Sequence, residues 1–147
     1  LGGQFVELYA RLHPEEVAGV VLVDARSVDF SQRCLAERVE RCTLPWLSRI
    51  LLPPGARAEL AGAARTEEQI RAAGPFPAVP LHVLTATQRP ASMPNLRRVW
   101  AETQAALSQL SPRGEQEICE SCGHFIQRDA PERVIEAIRS IVASTRE

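Results

Sequence analysis

The sequence predicts an α/β fold in which about three parallel strands alternate with helices. Two short runs, Val17–Val23 and Val79–Ala86, are almost wholly apolar and do not alternate with polar residues. Runs of this kind are typical of strands that helices cover on both faces. Elsewhere the apolar residues recur every three or four positions, as in Leu96–Leu110 and the stretch that starts at Pro131 and runs to about Val142, which indicates amphipathic helices. Strands that alternate with helices favour a parallel sheet.

Length, charge and composition limit the classes of function. The chain has 147 residues, enough for one domain, with 45% hydrophobic and 24% charged residues, an ordinary mixture for a globular protein. Its net charge of −1 gives no reason to expect a nucleic-acid or membrane partner. No segment approaches the roughly 20 apolar residues of a membrane span. The chain opens without Met or a signal peptide, so we expect a fragment and a cytoplasmic location; its oligomeric state stays open.

The first predicted helix spans Gly2–Leu12. Its apolar residues fall on one face at helical spacing: Phe5, Leu8, Tyr9 and Leu12. Two small residues at its start, Gly2 and Gly3, would let this helix approach a strand closely. The helix should end at His13, because the residue before a proline avoids the α region.

Residues 27–75 differ from the rest, since they contain several prolines and no strand pattern. The predicted elements are short helices at about Gln32–Arg41, Pro45–Leu52, Ala56–Ala64 and Thr66–Ala73. Thr66 and Gln69 could form a capping box. Two interpretations remain open for this insertion, a cap over a substrate pocket and plain helical packing. The candidates for lining such a pocket are Trp46, Leu47 and Ile50.

A third predicted strand, Gln116–Cys119, leads into the pair Gly123-His124 and then a polar turn. A histidine in the loop after a strand can face a site that several strands build together, although a plain loop histidine is the simpler interpretation. Gly123 is expected to let the backbone turn tightly beside it. Pro131 suits the first turn of the helix that follows.

The four cysteines do not have the spacing of a zinc site. Cys34 and Cys42 are too far apart in sequence for the usual ligand pair, and Cys119 falls in a strand that should be buried. A bond between Cys34 and Cys42 would need an oxidising compartment. Buried free thiols are therefore expected, and no metal or cofactor is predicted.

Three motifs together resemble the α/β-hydrolase family. They are Leu1-Gly2-Gly3-Gln4-Phe5, then His13-Pro14-Glu15-Glu16-Val17 with a strand that ends at Asp24, and finally Gly123-His124-Phe125. The resemblance begins just after the family's Gly-x-Ser-x-Gly nucleophile turn. It implies that residues 1–147 are the C-terminal half of the domain, that 27–75 form the cap, and that the nucleophile immediately precedes Leu1. The implied activity is hydrolysis of an ester, amide or related bond in a small molecule through an acyl-enzyme.

The resemblance also implies roles for individual residues. His124 would be the base, and the backbone N–H of Leu1 would be one oxyanion donor. Most family members carry the acid after the penultimate strand, but the loop Thr87–Ser92 contains no carboxylate. Asp24, at the end of the earlier strand, is the first candidate for the acid. Asp29 is a weaker one, and Gln88 could orient the imidazole without a charge.

Two alternatives fit the same fold. An epoxide-hydrolase-like or dehalogenase-like member would use an aspartate as the nucleophile. A non-catalytic relative would bind a ligand without turnover, and the absent carboxylate after the penultimate strand favours this reading. The residue before Leu1 would separate all three.

Overall fold

The computed structural model describes residues 1–39 and 50–145 and shows three parallel strands in one open sheet flanked by helices. The strands are β1 (Val20–Val23), β2 (Leu81–Ala86) and β3 (Gly114–Cys119). They lie in the order β1-β2-β3, and both pairings are parallel. This confirms the predicted α/β class and the parallel sheet. Each strand ends where the sequence predicted, although each begins at a different residue.

The α-helices whose bounds lie in the described part of the chain stand before, between and after these strands. They are α1 (Gly2–Leu12), α2 (Val28–Ala36), α3 (Pro54–Ala72), α4 (Pro94–Ser108), α5 (Ile126–Asp129) and α6 (Pro131–Ser144). A single 3₁₀ turn, Pro14–Glu16, follows α1. Within residues 1–39 and 50–145, no helix has the combination of length and apolar character that crossing a membrane requires.

Helices cover both faces of the sheet, which explains the unbroken apolar runs. On one face, α1 and α4 contribute to a core that contains Ala10, Val20, Leu22, Leu81, Val83 and Leu107. On the other face, α5 and α6 contribute to a second core that contains Leu84, Ala86, Cys119, Ile126 and Ala137. All six residues of β2 are buried, as expected for the central strand.

Gly3 allows α1 to approach the chain just after β1. A Cβ built at Gly3 would overlap the Cβ of Ala25, whereas a Cβ at Gly2 would meet nothing within 4 Å. Close packing at the start of α1 therefore depends on Gly3. The prediction made for both glycines holds for this one.

The helices of the region between β1 and β2 differ from the prediction. Ser27 is the N-cap residue of α2, and its Oγ accepts from Phe30 N at 3.2 Å. α3 is one helix of 19 residues rather than two. The capping box at Thr66 is therefore wrong: Thr66 lies inside α3 and its hydroxyl donates to the Gly62 carbonyl at 3.2 Å. Pro54 at the start of α3 is the real initiation signal.

The expectation of free thiols is wrong for Cys119 and Cys122, which form a disulfide, and for Cys34, which is disulfide-bonded as well. Cys42 lies outside the described residues. Cys119 ends β3, and the N–H of Cys122 donates to the Cys119 carbonyl at 3.3 Å. This turn brings the two Cα atoms to 5.3 Å, within the range that a disulfide spans. The disulfide thus closes the turn that leads from β3 to His124.

Candidate active site

The carboxyl ends of the three strands bring three polar side chains together. Asp24 follows β1, Arg89 lies in the loop after β2, and His124 lies in the loop after β3. In parallel α/β sheets, ligand and catalytic sites gather at this edge. The structure therefore places the first-choice acid and the base candidate at the same end of the sheet.

Asp24 is fully buried, with 0% of its surface exposed. Its Oδ1 accepts from Ala86 N at 3.2 Å and from Trp100 Nε1 at 2.9 Å. Its Oδ2 accepts from Arg89 Nη2 at 2.7 Å and from His124 Nδ1 at 2.8 Å. Four donors on one buried carboxylate compensate the cost of removing its charge from water.

The backbone of Asp24 also has an unusual conformation, with a φ of 44°. Left-handed conformations cost a residue with a side chain about 1–2 kcal/mol, and aspartate is among the residues that adopt them most readily. The turn follows directly after β1, and Asp24 N donates to the Leu84 carbonyl at 2.7 Å. Backbone strain of this kind is concentrated at functional sites.

His124 presents a different environment, because its side chain is 59% exposed. An ionised carboxylate can only accept, so Nδ1 carries the proton in the bond to Asp24. In a neutral imidazole with that proton, Nε2 holds the lone pair. The imidazole is therefore fixed at one nitrogen by a buried carboxylate while most of the ring faces solvent.

Hydrogen bonds hold the loop that carries His124 on both sides. Gln88 N donates to the Cys122 carbonyl at 3.0 Å, and Thr87 Oγ1 donates to the Glu120 carbonyl at 2.8 Å. Gly123 N donates to Asp129 Oδ2 at 2.7 Å. Gly123 does not have a positive φ; a Cβ there would lie 3.3 Å from Asp129 Oδ2. The small size of Gly123, rather than its conformational freedom, matters here.

Sequence reasoning missed Arg89 and Trp100 as parts of this site. Trp100 lies in the predicted helix Leu96–Leu110, where its large apolar ring is expected to be buried, and it is buried in α4. Its indole N–H needed a partner in that position, and this was the signal that a buried acceptor lies nearby. Arg89 lies in the loop Thr87–Ser92, which contains no carboxylate, and a cation in such a loop is itself a sign that an acid lies nearby.

The alternative acids are placed elsewhere. Asp29 is in the first turn of α2, its side chain is 65% exposed, and it lies 3.5 Å from Arg71. Gln88 contributes its backbone N–H to the His124 loop. Of the two carboxylates considered from the sequence, Asp24 is the one that His124 contacts.

The structure says less about the other residues predicted for the site, namely the oxyanion donor and the pocket residues. Leu1 is the N-cap residue of α1, and its carbonyl accepts from Gln4 N at 2.9 Å. Ile50 is exposed. Trp46 and Leu47 lie outside the described residues, so their predicted place in a pocket stays a prediction.

His82 forms a separate polar cluster in the middle of β2. Its Nδ1 lies 2.8 Å from Glu115 Oε1, and its Nε2 lies 3.2 Å from Glu117 Oε2. Both ring nitrogens are thus occupied by carboxylates on β3. His82 therefore has no nitrogen left to act as a base.

A cavity of about 620 Å³ adjoins the site between α4 and the strands β2 and β3. Arg89 and Trp100 form part of its wall, together with Thr85, Gln116 and Ile118. His124 does not line it. The cavity therefore touches the back of the Asp24 cluster rather than the exposed imidazole.

Comparison with known proteins gives no relative: no family model, curated protein or solved structure matches this chain. The function has to be inferred from the residues of the site and from the motifs that they belong to.

Proposed function

We propose that this chain carries the base and the acid of a serine hydrolase of the α/β-hydrolase type, which cleaves an ester, amide or related bond in a small molecule. The observation that carries the proposal is the hydrogen bond from His124 Nδ1 to Asp24 Oδ2, 2.8 Å long. It joins two loops at the carboxyl edge of a parallel sheet, where such folds build their sites. His124 is the base and Asp24 the acid that orients it.

The chemistry follows from the protonation of the ring. Nε2 takes the proton from a serine hydroxyl as its oxygen attacks the substrate carbonyl, and the resulting imidazolium is stabilised by Asp24. When the tetrahedral intermediate breaks down, Nε2 returns that proton to the leaving group. Water then repeats the sequence on the acyl-enzyme, so the base is regenerated.

The contrast in exposure supports a catalytic pair over a purely structural one. A histidine that serves only to hold a loop gains most when both nitrogens are bonded, as for His82. His124 instead has a mostly exposed ring and is bonded through Nδ1 to a carboxylate with no exposed surface. That arrangement fixes the ring and leaves Nε2 for a reacting group.

The nucleophile and the oxyanion donor come from the resemblance. The nucleophile would be the residue immediately before Leu1, and the backbone N–H of Leu1 would donate to the oxyanion. Leu1 is the N-cap residue of α1, which packs against β1, the strand that directly precedes Asp24. The cap assigned to residues 27–75 would shape the acyl or leaving-group pocket.

The experiment starts from the gene, by reading the codon before that of Leu1 and expressing the longer protein. A serine there, labelled by a fluorophosphonate and able to cleave an activated short-chain ester, supports the proposal. Both labelling and turnover should be lost in His124→Ala and kept in His13→Ala, a matched control on the exposed helix end. The 147-residue chain alone should not exceed its own His124→Ala background.

Other results would replace the proposal. An aspartate at the same position, with a trapped ester intermediate from an epoxide or a haloalkane, would indicate the aspartate-nucleophile chemistry. Neither residue, together with absent labelling, would indicate a protein that binds its ligand without turnover.

A further inference from the structure

Arg89 shares one carboxylate oxygen with His124. Its Nη2 donates to Asp24 Oδ2 at 2.7 Å, and the Nδ1 of His124 donates to the same oxygen at 2.8 Å. Two donors on one oxygen place a permanent cation beside the imidazole, since a guanidinium keeps its charge at every pH relevant to proteins.

The position of Arg89 is fixed by more than this bond. The carbon of its guanidinium lies 3.9 Å from the centroid of the Trp100 ring, a close cation–π contact. Trp100 in turn donates to the other oxygen of Asp24. The side chain of Arg89 is only 17% exposed, and within the described residues its Nε has no hydrogen-bond partner. Asp24 and Trp100 are thus the contacts that set its orientation.

A buried carboxylate with histidine as its one ionisable partner stabilises the protonated ring, because the imidazolium balances its charge. An imidazolium cannot accept a further proton. A second cation changes this balance, because the charge of Asp24 is compensated even when the imidazole is neutral. The same cation also disfavours a positive charge on the neighbouring ring.

We propose that Arg89 is a positioning residue that balances the buried charge of Asp24 and thereby keeps His124 neutral and able to accept a proton. This deepens the proposed function and rests on it, since a neutral imidazole is what a general base requires. Arg89 lies in the loop after β2, the same loop that contains no carboxylate.

The test measures protonation rather than turnover. The chemical shift of the His124 ring protons is followed by NMR as a function of pH in the 147-residue chain, and His124→Gln identifies the resonance. In Arg89→Met the ring should take up its proton about one pH unit higher than in the unchanged chain. Arg97→Met is the matched control: Arg97 is exposed, lines the same cavity, and in the described part of the chain has no bond to Asp24. It should move the midpoint by less than about a third of that amount.

Arg89→Gln separates charge from hydrogen bonding and also serves if Arg89→Met does not fold. Glutamine can still donate to Asp24 but has no charge, so the upward shift should persist. Arg89→Lys should bring the midpoint back towards that of the unchanged chain. Unchanged titration of His124 in Arg89→Gln, or equal shifts in the Arg89 and Arg97 variants, would overturn the inference. An absence of hydrolysis in the longer protein, with the shifts as expected, would refute the proposed function alone.

Discussion

His124 and Asp24 are separated by 100 positions in the chain, yet Nδ1 and Oδ2 lie 2.8 Å apart. The contact forms because Asp24 directly follows β1 and His124 lies in the loop after β3, with β2 between the two strands. The sheet register, in which Val20, Leu81 and Gly114 lie side by side, aligns the carboxyl ends of the strands. The sheet therefore brings the two ends together, and the turn closed by the disulfide Cys119–Cys122 carries His124 to Asp24.

Replacing Asp24 by asparagine should disable the pair. An amide at this position can donate to Nδ1 and so favours the wrong tautomer of the ring. In the longer, active protein we expect Asp24→Asn to lower turnover by up to about ten-thousand-fold, the loss known for the corresponding change in a serine-protease triad. The measurement is kcat on an activated ester. Asp29→Asn, a change of the same chemistry at an exposed carboxylate, should retain near-normal turnover; the reverse pattern would reassign the acid to Asp29.

Gly3 should be intolerant of a side chain. Gly3→Ala forces a methyl group onto Ala25, and overpacking of this kind costs about 1–3 kcal/mol. The gain in helix propensity, about 1 kcal/mol, offsets part of that loss. Gly2→Ala receives the same propensity gain without a contact and should be neutral or slightly stabilising. Urea unfolding of both variants provides the comparison, and equal stability would show that α1 moves to accommodate the methyl group.

Glu7 should make the protein less stable as pH rises. Burial raises the pKa of the Glu7 carboxyl, and the hydrogen bond from Arg11 opposes this only in part. The folded state therefore binds a proton that the unfolded chain has already released, so stability declines as pH increases from about 4, the ordinary range of a glutamate, through the raised pKa. Glu7→Gln should remove this part of the pH dependence.

Chemical denaturation at several pH values between 4 and 7 measures the Glu7 effect. The slope of the free energy of unfolding against pH should become less negative in Glu7→Gln. Glu132→Gln is a suitable comparison, since Glu132 is an exposed residue in the first turn of α6. An unchanged slope in Glu7→Gln would mean that Arg11 compensates the buried carboxylate fully.

The free edge of β1 and the helix face beside it should promote association. In the described structure β1 pairs with β2 alone, and α1 exposes Phe5, Val6, Tyr9 and Leu12. An open strand edge beside exposed apolar residues invites pairing between chains. We expect Phe5→Glu to lower the sedimentation-average mass of the 147-residue chain. Leu35→Glu, an equally apolar and exposed site on α2, should not do so, and a chain that is monomeric at the outset would refute the expectation.

The sequence was sufficient for the class of fold and for two members of the site. Local periodicity predicts the strands, and Asp24 is placed by β1 because it directly follows that strand. His124 could be predicted because it lies in the loop after β3, at the same edge of the sheet. Trp100 and Arg89 could not be found in this way, because their contacts depend on how α4 lies across the ends of β1 and β2. Thr66 was misread for a related reason: a capping pattern is local, whereas the continuity of α3 depends on what lies on either side of it.

Removing the disulfide should loosen the turn that carries His124. Both cysteines are buried, and the turn that they close is joined to the β2 loop through Gln88 N and the Cys122 carbonyl. Closing so short a loop contributes about 2 kcal/mol in the chain-entropy account. The double replacement Cys119→Ala with Cys122→Ala should therefore lower the free energy of unfolding by about that amount.

The same double replacement should also increase hydrogen exchange at the amides of Gln88 and Gly123. The amide of Val83, in the buried centre of β2, should change its exchange only as far as the global stability of the protein changes. Exchange at Gln88 and Gly123 that changes no more than exchange at Val83 would show that the hydrogen bonds hold the turn without the disulfide.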